Sequence, residues 1–507
     1  MLRKIRIIFS TFFFVLTTLL FLDFTGTIHL WFGWIAKTQL IPAILATNII
    51  VLAVMAILAL LFGRIYCSVI CPLGILQDGI SNISGRRKKK KNRFRFSSAK
   101  SWLRYAVLGL FIIAIIMSVS AAVSLLDPYA AFGRIASNFL TPVYRLGNNL
   151  LALLAEKADS YAFYSTDVWI KGWITFGIAA ITLIIVSILA WRNGRTYCNT
   201  ICPVGTLLGF LSKFSLFRLT FDVDKCRKCK ACERGCKSSC IDIKAMSIDY
   251  SRCVTCFNCI GKCKTGAISY APVKIGKKKS IDTTNVVNEP TTSNKEQDGI
   301  TRRNLLTVLG TIAVTSTIKA QQLHVDGGLA ELEDKKIPDR KTPIVPPGSL
   351  GAKNMKDRCT ACQLCVSACP NNVLRPSNKL KTFMQPEMSF ERGYCRPECT
   401  ECSQVCPTSA IKPITTADKT AISIGAAVWI KDNCVVNRDE IQCKNCERHC
   451  PTGAITLIAR APGSDDPLKI PVIDKGLCIG CGACEYQCPA RPFSAIYVEG
   501  NVRHHSI

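Results

Sequence analysis

Six groups of four cysteines limit what this chain can fold around more than any other feature of its sequence. They are Cys226, Cys229, Cys232 and Cys236; Cys253, Cys256, Cys259 and Cys263; Cys359, Cys362, Cys365 and Cys369; Cys395, Cys399, Cys402 and Cys406; Cys434, Cys443, Cys446 and Cys450; and Cys478, Cys481, Cys484 and Cys488. Four of the groups have the spacing C-x2-C-x2-C-x3-C; the other two open with Cys395-x3-Cys399 and Cys434-x8-Cys443. A [4Fe–4S] cube needs one thiolate per iron. A tight loop with a cysteine at every third residue can wrap three irons, and the fourth cysteine leaves along the next segment to reach the other cluster of a pair. Small residues after it let backbone come close: Thr-Gly-Ala-Ile or Thr-Ser-Ala-Ile recurs at 265–268, 408–411 and 452–455. Zinc sites instead pair two separated C-x2-C arms. A disulfide scaffold does not fit either, because such scaffolds are short chains with even cysteine counts, and this chain has 507 residues and 29 cysteines.

The pairing rule gives six ligand sets. Within the first pair of groups they are Cys226, Cys229, Cys232 with Cys263, and Cys253, Cys256, Cys259 with Cys236. The second pair gives Cys359, Cys362, Cys365 with Cys406, and Cys395, Cys399, Cys402 with Cys369. The third gives Cys434, Cys443, Cys446 with Cys488, and Cys478, Cys481, Cys484 with Cys450. Six [4Fe–4S] clusters are therefore expected. Cys240 is left over, as a packed thiol or an occasional alternative ligand. Pro follows the last cysteine of the later groups (Pro370, Pro407, Pro451, Pro489), but Lys237 and Lys264 replace it in the first pair. A positive charge beside a cluster favours its reduced form, so these lysines predict a raised potential.

Apolar residues make up 49% of the chain, which excludes disorder throughout. They concentrate in four stretches, 7–22, 41–62, 106–126 and 173–191, none of which carries a charge. Stretches near 20 residues match the hydrocarbon thickness of a bilayer, and Trp173 and Trp191 bracket the last as interfacial aromatics do. No small-residue cleavage site follows the first stretch, so it reads as a retained anchor. Residues 63–104 carry eleven Lys/Arg and one acid, Asp78; residues 25–40 carry only Lys37, and 127–172 carry four basic and four acidic side chains. The positive-inside rule puts the N-terminus and the 63–104 loop in the cytoplasm, and the chain is cytoplasmic again after Trp191. A net charge of +29 allows nucleic acid or an anionic membrane surface as partner. The basic run 86–95 lies beside membrane spans, so anionic lipid is the expected partner and nucleic acid is not.

Residues 63–74, Gly-Arg-Ile-Tyr-Cys-Ser-Val-Ile-Cys-Pro-Leu-Gly, recur at 194–205 as Gly-Arg-Thr-Tyr-Cys-Asn-Thr-Ile-Cys-Pro-Val-Gly, eight of twelve positions being identical. Each copy follows a span that ends inside, so the membrane part reads as a duplicated unit of two spans plus Cys-x3-Cys-Pro. Cysteines four apart share a helical face. The two copies can bring Cys67, Cys71, Cys198 and Cys202 together at the cytoplasmic interface, where four thiolates suit a seventh cluster or a soft metal. Redox-active or purely structural thiols are the other reading.

Residues 272–300 are polar and lysine-rich and read as a linker. Arg302 and Arg303 then precede a 14-residue, Thr-rich apolar stretch from Leu305 to Ile318, too short for a comfortable span. Adjacent arginines before such a stretch read as a twin-arginine export signal. Such a route carries domains across already folded, with clusters inserted. The alternative is an amphipathic helix with everything after it staying inside. Residues 318–320 are Ile-Lys-Ala, so cleavage is not expected.

Residues 1–275, with four spans, two Cys-x3-Cys-Pro motifs and a two-cluster tail, resemble the NapH/MauN-type membrane ferredoxins. Residues 300–507, with a twin-arginine signal and four cluster motifs, resemble the NapG/MauM-type exported ferredoxins. The chain looks like a fusion of the two. The fold expected is an α-helical membrane domain over 1–221, followed by α+β ferredoxin-type domains at 222–272 and 358–507. Between these come a linker at 273–300, the signal or anchor at 301–320 and a tether at 321–357. The resemblance implies a multi-pass protein of the cytoplasmic membrane, with 222–272 inside and 340–507 outside. It also implies electron transfer between the quinone pool and an extracytoplasmic redox enzyme or its small electron carrier. An assembly or maturation ferredoxin for a partner redox enzyme is the alternative. Enzyme activity, as a quinol dehydrogenase component, is left open. No catalytic acid, base or nucleophile stands out. None of the five histidines lies in a span and no Cys-x-x-Cys-His occurs, so no haem is expected. Tyr66 and Tyr197 are the weak candidates for a quinone site, with interfacial anchoring the plainer role for both.

Overall fold

The structure, a computed structural model, describes residues 1–87, 94–273, 333–461 and 467–507, together with a short strand pair at 325–326 and 330–331. Part of the 86–95 run, nearly all of the 273–300 linker and the whole 301–320 signal lie outside the described residues. Met1–Val273, Ile337–Ala490 and Ser494–Ile507 form one compact unit. A second unit covers Lys274–Lys336 and Arg491–Phe493 and contains the antiparallel pair Val325–Asp326 and Ala330–Glu331.

The helical part of the main unit is built from the apolar stretches. Leu2–Leu22 and Trp173–Asn193 are 21 residues each and long and apolar enough to cross a membrane. The other two stretches are interrupted. Residues 41–62 divide into Leu40–Leu45 and Ile49–Phe62, because Thr47 turns left-handed (φ 54°) and the Asn48 side chain caps the second helix at the Val51 N–H. Residues 106–126 divide into Ser101–Ile116 and Ser120–Leu126 around Ser118 (φ 52°). Hydropathy sums over such breaks and does not register them. On all four stretches one side stays exposed and apolar, as at Phe9, Phe12, Ile57, Leu110, Ile113, Ile181, Ile184 and Ile188.

Two α+β parts flank these helices. The smaller pairs Phe217–Phe221 antiparallel with Ile268–Pro272, Phe217 standing opposite Pro272, and adds the short pair Ile241–Asp242 and Ser247–Ile248. The larger has three antiparallel pairs: Leu374–Pro376 with Pro386–Met388, Ile422–Trp429 with Ile496–Ser506, and Ile455–Ala459 with Lys469–Ile473. The helix Leu2–Leu22, about 30 Å long at 1.5 Å per residue, meets a different part at each end. Near its N-terminus Arg6 pairs with Asp78 at 2.9 Å, and Arg3 lies against Gly261 of the smaller α+β part. Toward its C-terminus it packs on the helix Leu364–Ala368, and Glu401 stands against Gly26 just beyond it.

The larger part is fixed to the segment between the third and fourth stretches. The helix Pro128–Ile135 runs into a π-helical turn, Ala136–Leu140, of the kind that recurs at functional sites. From that turn the Ser137 hydroxyl bonds Ser367 at 2.8 Å and Asn138 donates to Gln363 at 3.1 Å. Lys171 donates to the Val366 carbonyl, and Arg375 and Arg392 sandwich the Trp169 ring from 4.4 and 4.8 Å.

Candidate cluster sites

The repeat builds a site with approximate two-fold symmetry. Helices Tyr66–Val69 and Thr196–Thr200 each carry a first cysteine, and the second precedes a helix that opens with Pro. Arg64 of the first copy donates to the Cys198 carbonyl, and Arg195 of the second donates to the Cys67 carbonyl. These reciprocal bonds lock the copies together. Gly74 and Gly205 make room for them: a Cβ there would lie 2.5 and 2.1 Å from the Cys67 and Cys198 carbonyl oxygens.

Cys67, Cys71, Cys198 and Cys202 are all buried at this junction. Burial, followed by the neighbouring Cys198 and Cys67, raises the Cys71 thiol; Cys202 is raised by burial and by Cys198, Cys71 and Cys67. The four thiols therefore lie within electrostatic reach of one another. N–H groups point at them: Gly205 donates to Cys202 Sγ at 3.4 Å, Gly74 to Cys71, and Gln77 to Cys198 Sγ at 3.3 Å. Among the described residues no three His, Cys, Asp or Glu close tightly enough for a single metal ion. Four neighbouring thiols with N–H donors to three of them are the ligand type that a cube takes.

A charge cluster that the sequence reading passed over sits beneath this site. Asp78 is buried and pairs with Arg195 at 2.8 Å, Arg6 at 2.9 Å and Lys237 at 3.6 Å. Burial alone would raise its carboxyl, but Arg195, Lys237 and Arg6 hold it well below the usual carboxylate range. The available signal was that Asp78 is the sole acid of a strongly basic loop. The pairing also alters the expectation for Lys237, whose charge is spent on Asp78 rather than turned freely toward a cluster. Lys264 stays exposed. Tyr66 does not stand at an interface: it is buried, donates to Gln39 at 2.9 Å and accepts from the Leu40 N–H. Tyr197 is buried as well.

The six groups of the α+β parts come together across groups. Cys232 neighbours Cys263 and Cys226; Cys229, of the same loop, is exposed. Cys259 neighbours Cys256, Cys253 and Cys236. Cys240 packs into this second quartet, sharing a hydrogen bond with Cys236 at 3.5 Å and another with Cys253. Cys365 neighbours Cys362, Cys359 and Cys406; Cys402 neighbours Cys395, Cys369 and Cys399. Cys446 neighbours Cys443, Cys488 and Cys434, while Cys481 neighbours Cys478 and Cys450, and Cys484 neighbours both Cys481 and Cys478. Two cavities match quartets directly. One of about 350 Å³, counting its open mouth, is lined by Cys369, Cys395, Cys399 and Cys402, and one of about 380 Å³ by Cys434, Cys443, Cys446 and Cys488. Burial and then like charge push Cys395 up to about 11 and Cys446 up to about 12. Such thiols ionise when a cation sits among them, which is the chemistry of a cluster cradle.

The quartets also adjoin one another in a definite order. Arg64 reaches Ser251 beside the second quartet with one nitrogen and the Cys198 carbonyl with another. On the other side of the quartet formed by the repeat, Tyr197 neighbours Cys202, Cys198 and Asp127, and the buried Tyr129 neighbours Cys362, Asp127 and Cys406. Asp127 caps the helix Pro128–Ile135 through the Tyr129 and Ala130 N–H groups. Burial raises its carboxyl to about 7 against those bonds. Beyond it the third quartet adjoins the fourth (Cys365 to Cys402), the fourth adjoins the sixth (Cys395 N–H to the Cys481 carbonyl, 2.9 Å), and the sixth adjoins the fifth (Cys484 to Cys446). The spatial order third, fourth, sixth, fifth is not the order of the sequence.

Comparisons with known proteins agree in kind. A family model described as a 4Fe-4S binding domain matches residues 44–91 and 173–221, one copy of the repeat in each, and a 4Fe-4S dicluster domain model matches 358–410 and 441–491. The chain is 32% identical over 169 residues to the methylamine utilization ferredoxin-type protein MauM of Methylobacillus flagellatus, covering 32% of this chain and 70% of that protein. It is 30% identical over 159 residues to the ferredoxin-type protein NapF of Escherichia coli, covering 31% and 87%. To the methylamine utilization ferredoxin-type protein MauN of Paracoccus denitrificans it is 24% identical over 185 residues, covering 36% and 52%. No solved structure matches the chain.

Proposed function

The chain belongs to the ferredoxin-type 4Fe-4S proteins, and on that premise we propose that it carries electrons through the cytoplasmic membrane, from quinol to an extracytoplasmic oxidoreductase or its small carrier. The observation that carries this reading is the row of cysteine quartets. It runs from the smaller α+β part, past Cys67, Cys71, Cys198 and Cys202, to the larger part at the far end of a helix about 30 Å long. That length equals the hydrocarbon thickness of a bilayer. The exposed apolar sides of all four stretches support lipid contact, since a soluble surface rarely exposes so much contiguous apolar area.

Each quartet would hold one [4Fe–4S] cluster, which supplies a one-electron carrier at that point. The residues supply thiolates, N–H donors to sulfur, and a dry setting. The ligand sets are the six given by the pairing rule, plus Cys67, Cys71, Cys198 and Cys202 as a seventh. Anaerobically purified protein is expected to contain about 24 iron atoms, or about 28 with the seventh site filled, at four per cube. Iron and labile sulfide analysis checks this; stoichiometric zinc without sulfide would contradict it. Reduction by quinol in membrane vesicles tests the electron route itself.

Export of the larger part rests on Arg302 and Arg303. Changing both to Lys is expected to leave residues 340–507 inside, because that machinery reads the guanidinium pair. Protease added to intact spheroplasts should then cleave the larger part in wild type but not in the variant. Protection of the wild-type part would show that it never leaves the cytoplasm.

A further inference from the structure

The loop of the first quartet differs from every other cluster loop in charge. Between Lys225 and Arg234 it carries Lys225, Arg227, Lys228, Lys230 and Arg234 against one acid, Glu233, whereas residues 360–368 of the third group carry no charge at all. Arg227, Lys228, Lys230 and Arg234 are exposed, and they surround Cys229, itself exposed. The loop geometry holds them outward. Lys228 and Lys230 take left-handed backbone (φ 52° and 57°) as the chain curls, the Lys228 N–H being turned in to Cys226 Sγ at 3.4 Å. Arg234 folds over the Cys229 carbonyl at 2.9 Å. Glu233 is half-buried and accepts from the Phe96 N–H, and Lys225 pairs with the half-buried Asp222 at 2.9 Å. Val223, 56% exposed, stands between Asp222 and the exposed Asp224, so acids border the cationic loop on its N-terminal side.

We propose that this surface is an electron entry for a small, acidic, soluble one-electron carrier protein on the same side as the 63–104 loop. It is a second entry, beyond the quinol reading and independent of it. Two observations favour a protein over lipid headgroups. The cations ring the exposed cysteine at the end of the row, where an electron would enter. It is the second quartet, not the first, that Arg64 and Arg104 reach through Ser251 and that adjoins the membrane-domain helices. A cluster of one sign around the exposed ligand loop steers and orients a transient redox partner of the other sign. The transfer moves one electron: the carrier is oxidised by one, the first quartet's cluster is reduced by one, and no bond or proton changes place.

The full chain in nanodiscs of neutral lipid, titrated with an acidic flavodoxin, tests this. Binding is expected, weakening about tenfold or more between low and high salt, as screened charges require. It should be absent for the basic protein cytochrome c. Arg227→Glu with Lys228→Glu should weaken flavodoxin binding at least about tenfold, since charge reversal across an interface is repulsive, while iron content and reduction by dithionite stay as in wild type. Salt-independent binding, or unchanged binding by an iron-replete variant, would overturn the proposal. So would loss of wild-type binding when the nanodiscs contain anionic lipid, which would assign the cations to headgroups. Quinol reduction assayed on the same samples reports separately on the quinol route.

Discussion

Changing Cys71 and Cys202 together to Ser is expected to stop electrons from crossing the row. The two thiols come from different copies of the repeat, and each neighbours the other thiols of the repeat's quartet. Serine keeps the size but is a poor ligand, so a cube there loses two of its four corners. Changes in residues that merely orient ligands cost about 10–100-fold in metal affinity or activity; loss of two ligands should exceed the upper figure. Reduction of the larger part by quinol should fall by more than about a hundredfold, while dithionite, which needs no row, still reduces it. Iron should drop by about four per chain. Unchanged quinol reduction with full iron would show that the quartet is structural.

The largest expected effect on stability is at Asp78. Asp78→Asn keeps the shape but removes the one carboxylate that Arg195, Arg6 and Lys237 share, and all three are buried. Removing one partner of a buried pair costs about 3–5 kcal/mol, because the other charge is left uncompensated. Here three cations lose one anion, so the upper end is expected, read as a lowered thermal midpoint in detergent. The loss should extend to the repeat's quartet, because Arg195 also holds the Cys67 carbonyl. Asp78→Glu should recover part of it. A melting curve like wild type for Asp78→Asn would mean that the cations find other partners.

Which parts of this could be seen in the sequence follows from the range of the interactions. The cysteine groups were legible because their spacing is local: in four of the six, three cysteines fall within seven residues of loop and a fourth, assigned to the paired group, follows four residues on. That Cys67, Cys71, Cys198 and Cys202 lie near one another was legible through the repeat, since Cys67 and Cys198 occupy equivalent positions of its two copies. Arg64 and Arg195 were written in the same repeat but went unread, because an arginine after an apolar stretch looks like a topology signal. The breaks at Thr47 and Ser118 were missed since capping by Asn48 is a matter of one side chain, which hydropathy averages away. The order of the quartets in the larger part was out of reach. It depends on contacts such as Cys395 with Cys481, 86 positions apart, that only packing decides.

The most direct test of the electron route is anaerobic reduction of the wild-type protein in membrane vesicles by a quinol, with the reduced clusters counted by electron paramagnetic resonance. Quinol should reduce clusters of the larger part with no soluble reductant present. Clusters that stay oxidised with quinol, yet reduce fully with dithionite, would contradict the account.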